Sequence, residues 1–146
     1  AARHFLREKG IDYEDRETDE AKGYRNSITV DLTGSVDAAT LRHASVRGTV
    51  AEGTLMVSRI NDFHKLYFEP RGHTVVFTYR DRPGVLGEIG SSLAAAGINI
   101  DDVRNPHDSR GENSIAILKV NQPVPQTVVD QIVRKIEAHQ GFYVHL

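Results

Sequence analysis

The clearest alternation in the first half of the chain falls at residues 27–32. Ile28, Val30 and Leu32 face one way while Thr29 and Asp31 face the other, the period of a half-buried strand. Gly34 and Ser35 then read as a turn. Two more strands are expected at 43–50 and 54–60 around Ala51, Glu52 and Gly53, and a second turn at Asn61 and Asp62 leads into a strand-like run at 64–69. Upstream, residues 1–9 read as the tail of a helix stopped at Gly10, 11–18 as a short strand and 19–23 as a polar connection. The first half is therefore expected to be a meander of short strands with little helix. Pro70, Arg71 and Gly72 read as a hinge, which gives two domains at 1–70 and 71–146.

The second half carries a sharper pattern. Residues 74–79 are apolar and rich in strand formers. Pro83 sits where a helix begins, because its fixed φ suits the first turn. Val85, Leu86, Ile89, Leu93 and Ala96 recur at helical spacing, and Gly97 follows as a terminator. Strands are expected at 98–103 and 114–120, separated by a polar turn at 108–113. Pro125 opens a second helix with Val128, Val129, Ile132, Val133 and Ile136 on one stripe. Gly141 reads as its stop, before a last strand at 142–146. The order β-α-β-β-α-β predicts an α+β, ferredoxin-like unit with both helices on one face of an antiparallel sheet. Gly87, Gly90, Ser91, Ala94 and Ala95 give the first helix a smooth surface. Self-association through it is expected, the alternative being packing on its own sheet.

Composition narrows the functional classes. The 146 residues carry a net charge of −2, with 39% apolar and 26% charged residues, ordinary for a globular protein. Neither half shows the basic excess of a nucleic-acid binder. No apolar run approaches the length of a membrane span, and no secretory leader is visible. The absence of cysteine excludes disulfides and thiolate chemistry and fits a cytoplasmic protein. The chain opens without methionine and reads as a piece cut inside a helix.

Seven histidines lie scattered at 4, 43, 64, 73, 107, 139 and 145 without metal-ligand spacing, so no metal site is expected. No phosphate loop and no nucleophile elbow occur, so no catalytic residue is assigned. Asp101 and Asp102 should face opposite sides of a strand and act as surface charge. Arg59, His64, Lys65 and Arg71 form a candidate anion cluster, against the alternative of a solvated sheet face.

The strongest constellation is the strand–loop–helix junction at Thr78, Tyr79, Arg80 and Asp81. Exposed N–H groups at a helix start favour a carboxylate, and Asp81 is suited to an ammonium, so a free amino acid matches both. Asn99 offers a donor and an acceptor at the start of the next strand. Alternatively, Asp81 is a helix N-cap and Asn99 a turn residue after Gly97.

A family resemblance rests on particular runs. Asp81-Arg82-Pro83-Gly84-Val85-Leu86-Gly87-Glu88-Ile89-Gly90, followed by Ala96-Gly97-Ile98-Asn99-Ile100, resembles the core motif of ACT domains. Ala2-Arg3-His4 through to Gly10, Tyr24-Arg25-Asn26-Ser27-Ile28-Thr29-Val30, Arg47-Gly48-Thr49-Val50 and Ile60-Asn61-Asp62-Phe63 resemble the intervening domain of long-form D-3-phosphoglycerate dehydrogenases.

The resemblance implies an enzyme family of L-serine biosynthesis that uses NAD and is feedback-regulated by L-serine. The NAD-binding fold and catalytic residues would lie upstream in the same polypeptide, leaving this fragment non-catalytic and without a cofactor of its own. It further implies a homo-oligomer with L-serine held at an ACT–ACT interface. Tyr79 and Asp81 match ligand-contacting loop positions, and Pro83, Gly84, Val85 and Leu86 match the helix-start backbone. Asn99 matches the position that reaches the ligand from the partner. Some relatives carry His and Asn in place of Tyr79 and Asp81. The intervening domain of some relatives takes a phosphate-bearing effector, the context in which Arg59, His64, Lys65 and Arg71 are of interest. A sensor of another amino acid, or a ligand-free oligomerisation module, are the rival expectations.

Overall fold

The structure, a computed structural model, describes residues 12, 27–37 and 40–146. Apart from Asp12, the readings at 1–9, 11–18 and 19–23 lie outside the described residues. Strands β1 (Ser27–Asp37), β2 (Thr40–Ala51) and β3 (Thr54–Ile60) form an antiparallel sheet in that order. Glu52 and Gly53, both at positive φ (51° and 78°), make the tight turn between β2 and β3, as twisted two-residue hairpins require. Gly34 and Ser35 are not a turn: they pair with Arg42 and Leu41 inside the β1–β2 ladder. The continuing ladder overrides their local turn preference, and an irregularity appears only between Ser35 and Asp37.

The expected strand at 64–69 is also absent. Only the isolated bridges Ile60↔Phe63 and Val57↔Phe68 form there, because Lys65 and Tyr67 take left-handed backbones at φ 56° and 46°. The segment instead drops Phe63, Leu66 and Phe68 onto Val76, Ile115 and Ile117 of the second sheet. Burial of these three side chains is worth several kcal/mol at about 1.5–3 kcal/mol each, which outweighs a short edge ladder.

The second unit runs β4 (His73–Arg80), α1 (Val85–Ala95), β5 (Ile100–Arg104), β6 (Asn113–Val120), α2 (Gln126–Ile136) and β7 (Gln140–His145). Its strand order is β5-β6-β4-β7, every neighbour antiparallel. This is the expected α+β, ferredoxin-like arrangement. Val85, Ile89 and Leu93 of α1 and Val129, Ile132 and Ile136 of α2 pack on Val75, Phe77, Ala116 and Leu118. Phe63, Leu66 and Phe68 cover the opposite face. The central strands β4 and β6 are thus buried on both sides, which is why they read as continuous apolar runs.

Gly97, at φ 74°, follows the C-cap Ala96 of α1. Gly141 does not terminate α2, which ends at the left-handed Glu137. It lies in β7 opposite Phe77, where a Cβ would come 2.5 Å from Val133 and 2.7 Å from the Phe77 ring. The glycine is required by tertiary packing, not by a turn. Asp101 and Asp102 also depart from expectation: a bulge between Ile100 and Asp102 brings both onto the rim of one cleft. Among the described residues, no helix is long and apolar enough to cross a membrane.

Candidate functional site

The β4–α1 junction is held from below and behind. The Asp81 N–H donates to the Glu112 carbonyl at 2.8 Å, and the Ser114 hydroxyl donates to Asp81 Oδ1 at 2.8 Å. Asp81 is therefore not the cap of α1. That position belongs to Gly84 at φ 89°, with no side-chain cap, and its carbonyl accepts the Glu88 N–H at 3.0 Å. The first N–H groups of a helix have no intrahelical partner, so those of Val85 and Leu86 are presented beside an exposed carboxylate. Pro83, Gly84 and Leu86 are exposed, whereas Val85 is buried in the core.

Arg82 fixes the loop to the far side of the unit. It donates to the Ile136 carbonyl at the end of α2 and to the Arg80 carbonyl at 3.2 Å, a cation at the negative end of a helix. Tyr79 points inward, at 2% exposure, and its hydroxyl accepts from Asn105 Nδ2 at 2.8 Å. Burial raises the phenol above its ordinary pKa, and the Asn105 hydrogen bond opposes that shift. Tyr79 is a floor beneath the loop, with its side chain in the core.

Asn99 is exposed just before β5. Its N–H donates to Asn121 Oδ1 at 3.0 Å and its amide donates to Asp101 Oδ1 at 3.0 Å. The register separates it from Asp81. Arg80 pairs with Asn113 at the start of β6, whereas Ile100 pairs with Val120 at its end. Seven residues of strand, at about 3.4 Å each, put roughly 24 Å between the two positions. No single chain brings Asp81 and Asn99 to one small ligand.

Three of the four residues of the candidate anion cluster are divided between two clefts, and the fourth lines neither. Arg59 and His64 line an open cleft of about 550 Å³ with His43, Ser45, Arg47, Asn61 and Asp62. Arg59 donates to the Asn61 carbonyl at 2.8 Å and to the Ser45 hydroxyl at 2.7 Å. His64 Nε2 lies 3.3 Å from Asp62 Oδ1. Arg71, ion-paired with Glu69, belongs to a second cleft of about 450 Å³ with Arg104 and Lys119. Lys119 donates to the Arg71 carbonyl at 2.9 Å and to Thr74 Oγ1 at 2.8 Å. Burial lowers its pKa, partly offset by Asp102 and Glu69. Lys65 is exposed and lines neither cleft.

Sequence reasoning missed the supports of the junction: Ser114, Glu112, Arg82 and Asn105. The first two follow from the β4–β6 register, which no local pattern fixes. Arg82 stands inside the quoted motif, but its target lies 54 residues away. Among the described residues no group of three or more potential metal ligands assembles.

Comparison with known proteins places these features. Residues 73–137 match the ACT domain model. The chain is 30% identical over 141 residues to D-3-phosphoglycerate dehydrogenase of Mycobacterium leprae, covering 95% of this chain and 26% of that protein. It is 29% identical over 135 residues to the Mycobacterium tuberculosis enzyme of the same name, covering 91% and 25%. Against the Bacillus subtilis enzyme it is 27% identical over 131 residues, covering 86% and 23%. The chain thus spans about a quarter of the length of these relatives. It contains an ACT domain and is homologous to the C-terminal region of D-3-phosphoglycerate dehydrogenases.

Proposed function

We propose that this chain is the regulatory, non-catalytic part of an NAD-dependent D-3-phosphoglycerate dehydrogenase and binds L-serine as feedback effector between two ACT domains. In this reading the chain divides into an intervening domain at 1–70 and the ACT domain at 71–146. NAD and the catalytic residues belong to upstream domains of the same cytoplasmic polypeptide.

The supporting observation is the separation of Asp81 from Asn99, two exposed polar groups at opposite ends of one sheet. A second copy in antiparallel relation would bring Asn99 of one chain to Asp81 of the other. The roles follow from chemistry. The helix-start N–H groups at Val85 and Leu86 hold the carboxylate, with Pro83 and Gly84 shaping the approach. Asp81 holds the ammonium, and Asn99 from the partner supplies a donor and an acceptor. Tyr79 supports the loop from the core. Serine then favours the arrangement of subunits that completes the site, and only such differential binding can regulate. Titration calorimetry with L-serine tests this reading. Wild type should bind, Asp81→Ala should not, and a dimer that binds no serine would refute it. A thermal-shift screen that selects a different amino acid, or none, would favour the rival sensor or the ligand-free module.

A second reading rests on the first cleft, lined by Arg47, Arg59, His43 and His64 with Asp62, and with Asp31 3.9 Å from His43. Two guanidinium groups and two imidazoles as donors suit a phosphate-bearing anion, and Arg59→Ala should weaken inorganic phosphate binding without altering serine binding. Arg71 and Lys65 take no part in this cleft, so Arg71→Ala should leave phosphate affinity there unchanged.

A further inference from the structure

Two contacts tie the segment after β3 to the ACT unit, and each grips one half of the amino-acid site proposed above. At the loop half, Asp62 Oδ2 accepts the Ser109 N–H at 3.0 Å and the Ser109 hydroxyl at 2.6 Å. Ser109 belongs to the β5–β6 loop. The Glu112 carbonyl of that loop holds the Asp81 N–H, and Ser114 just beyond it holds the Asp81 carboxylate. Asp108 closes the loop on itself, accepting from the Glu112 N–H at 3.0 Å and from Asn113 Nδ2 at 3.2 Å. These bonds brace the loop internally.

At the other half, Arg104 of β5 donates to the Leu66 carbonyl at 2.9 Å and to the Tyr67 carbonyl at 3.3 Å. Asp102 orients its guanidinium at 2.7 Å. Asn99 immediately precedes this strand. The same segment carries the plug of Phe63, Leu66 and Phe68, in which Leu66 is fully buried. Its backbone is bonded into the first sheet, Leu66 N–H to the Ser58 carbonyl at 3.0 Å and Phe68 N–H to the Val57 carbonyl at 3.2 Å.

We infer that Asp62–Ser109 and Arg104–Leu66/Tyr67 form a two-point clamp that carries amino-acid occupancy of the Asp81–Asn99 site to the segment 60–68 and so to the first sheet. The identity of the ligand rests on the proposed function. A ligand that fixes the Asp81 loop and the β5 end against a partner restrains both anchor points of the clamp. The segment between them is close-packed, so it answers by repacking as a unit and not by continuous deformation. Asp62 and Arg104 are positioning residues and touch no ligand.

Hydrogen–deuterium exchange on the 146-residue chain, with and without L-serine, tests the clamp. In wild type, serine should slow exchange at residues 60–68 as well as at the Asp81 loop. Asp62→Ala combined with Arg104→Ala, which removes every donor to the two carbonyls, should retain serine binding by calorimetry but lose the change at 60–68. Ser109→Thr keeps both donors and should restore transmission where Ser109→Ala diminishes it. Persistence of the full change at 60–68 in the double variant, or no change there in a wild type that binds serine, would overturn the inference. If wild type binds no serine, the proposed function fails on its own. The clamp is then decided by the ligand-free comparison, in which Asp62→Ala should speed exchange at Ser109 and Asp81. Unchanged rates there would refute it.

Discussion

Replacing Leu66 by alanine tests whether the segment after β3 is part of the ACT core or only a connection to it. Leu66 has 0% exposure and packs among Phe63, Phe68, Val76, Ile115 and Ile117. Truncation removes three buried carbons, about 2–3 kcal/mol of transfer free energy at about 0.8 per carbon. A cavity term adds to this, because Ile115 and Ile117 are fixed in β6 and the two phenylalanines are held by the bridges at Ile60 and Val57. The expected total is about 3–4 kcal/mol, within the range of buried Leu→Ala changes. With a urea m-value of about 2 kcal/mol/M, the midpoint should fall by roughly 1.5–2 M. Leu55→Ala is the matched control. The same side chain there is 56% exposed, so the shift should stay within about 0.5 kcal/mol. Urea unfolding followed by far-ultraviolet circular dichroism measures both. A loss below about 1 kcal/mol for Leu66→Ala, or equal losses at the two leucines, would refute the assignment of 63–68 to the core.

Gly141→Ala should destabilise by about 1–3 kcal/mol through overpacking against Val133 and Phe77, read as a lowered Tm; an unchanged Tm would refute that contact. Asp62 carries a pKa below its ordinary value of 3.8, chiefly through the Ser109 hydroxyl and N–H. For a carboxylate with a depressed folded pKa, the contribution is complete above the unfolded value and is lost as pH falls through the lower folded value. The Ser109 amide resonance should therefore hold its position through pH 4 and move only below that ordinary value. Movement centred above it would contradict the Asp62–Ser109 contact. Tyr79→Phe should leave serine affinity within about twofold and lower stability by about 1 kcal/mol, the worth of the lost Asn105 contact. A large loss of affinity with intact stability would place the phenol in the site instead.

The ACT unit was legible because its signals agree. Pro125 caps the second helix and Pro83 stands just before Gly84, the cap of the first, Gly97 follows the end of that helix, and Val75, Phe77, Leu118 and Ile117 sit in strands whose two buried faces leave no polar alternation to misread. Failures occurred where tertiary contacts set the outcome. Gly141 resembles a helix stop, yet what it avoids is the Phe77 ring from another strand. Residues 64–69 read as a strand, but Leu66 and Phe68 bury against Val76, Ile115 and Ile117 of the second sheet, with Lys65 and Tyr67 in left-handed conformations that break the ladder. At the site, Asp81 and Asn99 were visible as polar residues beside a helix start and a strand start. Their separation depends on the β6 register, and their supports, Ser114, Arg82 and the Asp62–Ser109 latch, join residues 33, 54 and 47 positions apart. Arg59 and Arg71, close in sequence, line different clefts.

Mixing two inactive variants tests the two-chain site most directly. Asp81→Ala and Asn99→Ala should each fail to bind L-serine. In a mixed dimer, one of the two equivalent sites pairs Asp81 of the Asn99→Ala chain with Asn99 of the Asp81→Ala chain and is intact. Equal mixing with free subunit exchange makes half the dimers mixed, so about one quarter of all sites should recover wild-type affinity in calorimetry. Recovery of no sites, with subunit exchange verified by mass spectrometry, would contradict a site shared between chains.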